Sequence, residues 1–192
     1  METKKTLKRI WNFLWHDNSL LSWITCIILA TILIKFIFYP SIGFMLKTSL
    51  PVVAVVSGSM RHNNLDFDAW WYQNQQWYIK NNITKEEFSA YTLKNGFNKG
   101  DIIILKGTTP EKTKIGDIIV YNGNYKAPII HRVTNKFIEN NKYYFILKGD
   151  NNKDRDPLSI AENQIVGKAI IRIPYLGWVK VVFTEIITRI WR

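Results

Sequence analysis

From Leu20 to Tyr39 the chain reads LLSWITCIILATILIKFIFY, apolar almost without a break. No charged side chain falls between Asp17 and Lys35. At about 1.5 Å of rise per residue this run reaches about 30 Å, the thickness of a bilayer's hydrocarbon core. A helix that is apolar all round has no face to offer water, so the pattern predicts a membrane span over 20–39. Lys35 lies near enough to its end to snorkel. The apolar core of a cleaved secretory signal is shorter, and no small-x-small site follows this run, so an uncleaved anchor is expected.

Upstream, Leu7, Ile10, Trp11, Leu14 and Trp15 recur at helical spacing, which suits a short amphipathic helix on a membrane surface over 1–19. Lys4, Lys5, Lys8 and Arg9 precede the span, whereas Lys47 is the one basic residue soon after it. The positive-inside rule then puts the N-terminus in the cytoplasm and residues 40–178 outside or in a lumen.

Beyond the anchor the composition changes to that of strands. PVVAVV at 51–56 is β-branched and bounded by Pro and Gly, and further strands are predicted at 101–105, 116–121, 129–134, 142–148 and 164–172. Asn122-Gly123 and Asn140-Asn141 supply turn signals between them. Short, closely spaced strands without intervening helical patterns predict a mainly β fold: an antiparallel, barrel-like or sandwich-like domain. Residues 61–99 break the pattern. Trp70, Trp71, Tyr72, Trp77 and Tyr78 crowd together there, then Thr84-Lys85-Glu86-Glu87 reads as a capping box opening a helix that Asn95-Gly96 would close. A helical insertion with its own aromatic core is expected, with membrane contact as a second reading. At the C-terminus, Val179, Val182, Phe183, Ile186, Ile187 and Ile190 follow the amphipathic template, while Lys180, Glu185, Arg189 and Arg192 lie off the stripe. Over 179–192 this predicts a helix lying on a membrane, with packing on the domain itself left open.

Composition narrows the function. With 47% hydrophobic and 21% charged residues the chain is not disordered, and one cysteine, Cys26 inside the anchor, excludes a disulfide scaffold and a cysteine-based zinc site. The formal charge of +11 would suit nucleic acid or an anionic membrane. No terminal basic run that would track phosphates is present, so a membrane surface is expected, and nucleic acid is not.

Three short segments could carry chemistry. Ser57-Gly58-Ser59-Met60 follows the 51–56 strand, and a serine beside Gly at a strand end can act as nucleophile with a free backbone N–H as oxyanion donor. Alone it is ordinary turn text. Ile130-His131-Arg132-Val133 places a histidine in a strand, where it could equally be structural. Gly149-Asp150-Asn151-Asn152, with Asp154 and Asp156 behind it, reads on its own as an Asx-rich turn. Together they supply nucleophile, base and orienting carboxylate.

With the anchor, SGSM at 57–60, GDIIVY at 116–121, HRV at 131–133, GDNN at 149–152 with Asp156, and IPYLG at 173–177, the chain resembles type I signal peptidases of the archaeal and endoplasmic-reticulum kind. The bacterial branch has a lysine where His131 stands. The resemblance implies Ser59 as nucleophile, His131 as general base and later acid, and Asp156 as the carboxylate orienting it, with Asp150 as a possible second carboxylate. It further implies an oxyanion hole from the Ser57 hydroxyl and the Ser59 N–H, with no cofactor and no metal. The 61–99 insertion is longer than the link in the simplest members.

The implied substrates are signal peptides of exported preproteins, bound as an added strand along the 51–56 edge. Shallow pockets beside Val52, Ala54 and Val56 would accept Ala, Gly or Ser at the first and third positions before the cut. The lipid bilayer is an expected partner and the protein translocation channel a candidate one, in the cell membrane or the endoplasmic-reticulum membrane. Two other readings stay open: a membrane-anchored, non-catalytic β domain of pilin-like or assembly type, and an anchored serine hydrolase with another substrate. Asn82-Ile83-Thr84 is also an N-glycosylation sequon.

Overall fold

The computed structural model describes residues 2–123 and 127–190, and it divides into two compact units, Met1–Met45 and Leu46–Arg192. In the first unit α1, Glu2–Trp15, precedes α2, Leu20–Leu33, whose N-terminus Ser19 caps by accepting from the Ser22 N–H. The helix then runs on through a π turn, Ile34–Phe38, into α3, Tyr39–Leu46, so the apolar helix extends past Tyr39 to Leu46. Pro40 accounts for the π turn. Proline lacks an N–H and its ring crowds the preceding turn, and widening the ladder so that the Tyr39 N–H reaches Ile34 O relieves both. The 27 residues Leu20–Leu46 rise about 40 Å, long and apolar enough to cross a membrane.

The second unit is a curled, wholly antiparallel sheet of seven strands in the order β1-β2-β7-β3-β4-β5-β6, which agrees with the mainly β expectation. The strands are β1 Val52–Ala54, β2 Ile102–Lys106, β3 Ile118–Tyr121, β4 Ile129–Glu139, β5 Lys142–Lys148, β6 Ile160–Ala161 and β7 Ile165–Ile173. Strand β4 outruns its predicted end because Asn140 and Asn141, both at positive φ, close a two-residue hairpin onto β5. Strand β6 has only two residues, too few for a periodicity to show. The Asn122-Gly123 turn signal falls at the border of residues 124–126, which lie outside the described residues.

Two apolar clusters hold the sheet. One gathers Val55, Met60, Phe97, Ile103, Leu105 and Ile118. The other gathers Ile119, Tyr121, Val133, Phe145, Leu147 and Ile160. In the insertion, α4 spans Phe67–Lys80 and α5 spans Lys85–Ser89. The expected capping box is present, with the Glu87 N–H on Thr84 Oγ1 and the Thr84 N–H on Glu87 Oε2, but α5 stops at Ser89, before Asn95-Gly96. Trp70, Trp71, Tyr78, Ile83 and Phe88 make the insertion's own core, whereas Tyr72 is exposed. The last helix, α6, spans Trp178–Ile190. Val181 is buried, and Val179, Val182, Phe183 and Ile186 are exposed. Trp191 and Arg192 lie outside the described residues.

Candidate active site

Strand β1 delivers the serine loop. Its ladder with β2 continues through Val55, whose N–H donates to Asp101 O and whose carbonyl accepts from the Gly100 N–H. The chain then leaves the sheet at the exposed Val56. Val53 and Val55 face the core, which leaves Val52, Ala54 and Val56 on the opposite face of the strand. Among the described residues no strand pairs with the outer edge of β1.

The loop is anchored on both sides of Ser59. Buried Met60 is its apolar plug, and the Met60 carbonyl accepts from the Phe97 N–H at the end of the insertion. On the other side the Asn151 N–H donates to Ser59 O at 2.7 Å, and Asn151 Nδ2 donates to Gly58 O at 3.1 Å. The backbones approach so closely that a Cβ on Gly149 would stand 2.8 Å from Ser59 O and 2.8 Å from Asn152 Nδ2, so this position needs glycine. Ser57 Oγ and Ser59 Oγ lie 3.2 Å apart. Among the described residues no acceptor is bonded to the Ser59 N–H, and the space over Gly58 is open. A loop held through its carbonyls, with two hydroxyls beside an N–H that no described acceptor takes, can receive an electron-rich oxygen.

His131 sits near the start of β4, opposite Ile119 of β3, and is 8% exposed. Its Nδ1 is 2.8 Å from Asp156 Oδ2, and the Tyr121 hydroxyl donates to the same oxygen at 2.8 Å. Asp156 is placed by its own N–H, which donates to Leu147 O. With Nδ1 on a carboxylate, the ring keeps its other nitrogen for proton transfer. A cavity of about 520 Å³ opens beside this pair, lined by Tyr121, Ile129, His131, Asn152, Asp156 and Leu158 among others. The loop 149–152 therefore joins the halves, gripping Ser59 through Asn151 and walling the His131 cavity with Asn152.

Asp150 has a different place. It is fully buried and meets Arg132 through two bonds, Nε to Oδ1 at 2.9 Å and Nη2 to Oδ2 at 2.7 Å. Its Oδ2 also lies 3.1 Å from His62 Nε2, and the His62 ring stacks on Trp70 with centroids 3.8 Å apart. Arg132 spends its other donors on the carbonyls of Thr92, Leu93 and Gly116. Burial pushes the Asp150 carboxyl up, but Arg132, aided by His62, outweighs it and holds the group down at about 2. Lys148, buried beside it, donates to Gly149 O and lies over the Trp77 and Tyr78 rings. Burial brings its ammonium down to about 8, against the pull of Asp150 and Asp154.

Of the residues expected from sequence, His131 and Asp156 are in contact, Ser57 and Ser59 share one loop, and Asp150 belongs to a neighbouring buried network. Among the described residues no cluster of His, Cys, Asp or Glu is arranged to hold a metal ion. Tyr121 and Arg132 stand inside the GDIIVY and HRV motifs without a role assigned from sequence, and His62 and Lys148 had none either. Of these only Tyr121 carried a usable signal: its parity matches that of His131 once β3 and β4 are paired in register.

No protein-family model matches the chain. Over 103 residues, 49% of the chain, it is 32% identical to the signal peptidase complex catalytic subunit SEC11 of Pyricularia oryzae and 34% identical to that of Sclerotinia sclerotiorum. That stretch spans 60% of the length of these two relatives. A longer match of 159 residues at 28% identity covers 78% of the chain and 75% of the SEC11 subunit of Scheffersomyces stipitis.

Proposed function

We propose that this chain is a membrane-anchored serine endopeptidase of the endoplasmic-reticulum type of signal peptidase, cutting signal peptides from exported precursors. The observation that carries the reading is the 2.8 Å contact of His131 Nδ1 with Asp156 Oδ2, in a cavity whose wall loop also grips Ser59. The relatives, named catalytic subunits of a signal peptidase complex, support it and speak against a non-catalytic β domain.

In this reading Ser59 Oγ attacks the scissile carbonyl while His131 Nε2 takes its proton, and Asp156 steadies the imidazolium through Nδ1. The carbonyl oxygen, now negative, is met by the Ser59 N–H and the Ser57 hydroxyl, which turns from Ser59 Oγ to the oxyanion. His131 returns the proton to the leaving amine, and the released mature chain leaves an acyl group on Ser59. Water, deprotonated by the same imidazole, hydrolyses that ester and restores the serine.

The cleavage stretch of the precursor adds along the outer edge of β1, with alternate side chains set against Val52, Ala54 and Val56. Little depth is available beside such residues, so small side chains before the cut are favoured. The apolar helix Leu20–Leu46 anchors the enzyme with its N-terminus in the cytoplasm and its sheet domain outside or in the lumen. The exposed Val179, Val182, Phe183 and Ile186 of α6 rest on lipid, and partners include the other subunits of a processing complex and the translocation channel. Confinement in one membrane raises the effective concentration of substrate.

The test is direct. Purified protein in detergent or lipid is incubated with a model preprotein, and the new N-terminus is sequenced. Cleavage after the signal by the natural chain and none by Ser59→Ala is expected; equal cleavage by both would remove Ser59 as nucleophile, and none by either would remove the activity.

A further inference from the structure

We infer that Tyr121 is a positioning residue for the proposed proton relay, its hydroxyl fixing the Asp156 carboxylate and moderating that carboxylate's hold on the His131 ring. The inference rests on the proposed peptidase reading and goes beyond it: Tyr121 closes the GDIIVY motif, but neither the resemblance nor the names of the relatives give it a role.

The register of the sheet puts the parts in reach. Ile119 lies opposite His131 and Tyr121 opposite Ile129, so Tyr121 and His131 are diagonal neighbours on one face of the β3–β4 pair. Diagonal partners stand about 7–8 Å apart, a gap that long side chains or an inserted group can fill. Asp156 is the inserted group. Its Oδ2 takes both bonds, 2.8 Å from Tyr121 and 2.8 Å from His131.

One bond alone would leave this carboxylate loosely held, because the terminal torsion of aspartate is broad and two-fold. A second donor on the same oxygen selects one orientation. The tyrosine is itself held independently of Asp156. It is 3% exposed and packs in the cluster of Ile119, Val133, Phe145, Leu147 and Ile160. A phenylalanine would fill the same apolar space, so packing requires the ring, and the hydroxyl is what donates to Asp156.

The bond also acts on charge. An oxygen that already accepts from a phenol is a weaker partner for the imidazolium than one left bare. Among the described residues, Lys168 pairs with Asp117 and Arg132 with Asp150. Lys148 donates to Gly149 O, and Lys153, Asp154 and Arg155 are exposed. Removing the hydroxyl should therefore let Asp156 hold the protonated His131 more tightly.

Tyr121→Phe tests this. The variant is expected to process the model preprotein with kcat down roughly tenfold, the scale of one hydrogen bond to a charged group, and KM little changed. The acid limb of its kcat/KM profile should move to higher pH. In an Asp156→Asn background the same substitution should cost no more than about twofold further. An unmoved acid limb, or an equal loss in both backgrounds, would overturn the inference and leave Tyr121 a packing residue. NMR titration of the His131 ring in the Ser59→Ala protein and its Tyr121→Phe derivative needs no activity, so it separates this claim from the peptidase reading. An upward move of the midpoint supports the contact's electrostatic role, and an unchanged midpoint overturns it.

Discussion

His131 Nδ1 meets Asp156 Oδ2 at 2.8 Å, and it is Asp156, not Asp150 of the same loop, that touches the imidazole. The two carboxylates should therefore fail differently. Asp156→Asn keeps the shape but reverses the hydrogen-bond sense at Nδ1, so processing should fall on the order of 10⁴-fold with the fold retained. Asp150→Asn leaves Arg132 buried without its counter-charge and should cost about 3–5 kcal/mol of stability. Rates and thermal midpoints of both variants check this. A stable, inactive Asp150→Asn beside an active Asp156→Asn would reverse the assignment.

Acid should act on Asp150. Its folded-state value of about 2 lies below the ordinary 3.8 because Arg132 and His62 overcome the cost of burial. A depressed carboxyl contributes its stability in full above the unfolded value and loses it as pH falls toward the folded one. The thermal midpoint should thus fall as pH drops from about 4 to about 2. A flat midpoint across that window would contradict the buried pairing.

Lys148 should act at the alkaline end, with the opposite sense. Burial lowers its ammonium from 10.5 to about 8. The folded state then binds fewer protons than the unfolded one between those values, so stability should rise with pH from about 8 to about 10.5. Lys148→Met should flatten that rise. If the variant keeps the same slope, Lys148 is not the group responsible.

Much of this architecture could be read from the chain, and the exceptions are physical. Residues 142–148 are a short aromatic and aliphatic run bounded by turn residues, so β5 was plain, whereas the two-residue β6 is too short for any pattern to register. The Thr84–Glu87 capping box announced where α5 begins. Its end at Ser89 carried no such mark, since the turn text Asn95-Gly96 stands further along the chain. The apolar run signalled a helix from Leu20, but its continuation past Pro40 needs a π turn, a hydrogen-bond rearrangement with no pattern in the residues.

Site residues divide in the same manner. Ser59, His131 and Asp156 stood out through short motifs taken together. Only the resemblance put Asp156 ahead of Asp150; local sequence does not separate them, because both follow Gly149 and it is the folded chain that brings Arg132 to one and His131 to the other. His62 sat in unpatterned text. Its place under Trp70 and beside Asp150 comes from the long-range closure of the insertion.

If Ser59 and His131 work as one unit, their loss must not add. Processing rates of Ser59→Ala, His131→Ala and the double variant test that most directly. Each single change should reduce cleavage to the background rate, and the double variant should be no slower than either. A His131→Ala enzyme that retains substantial processing, with the double variant falling by the product of the single losses, would contradict a shared proton path between the serine and the imidazole.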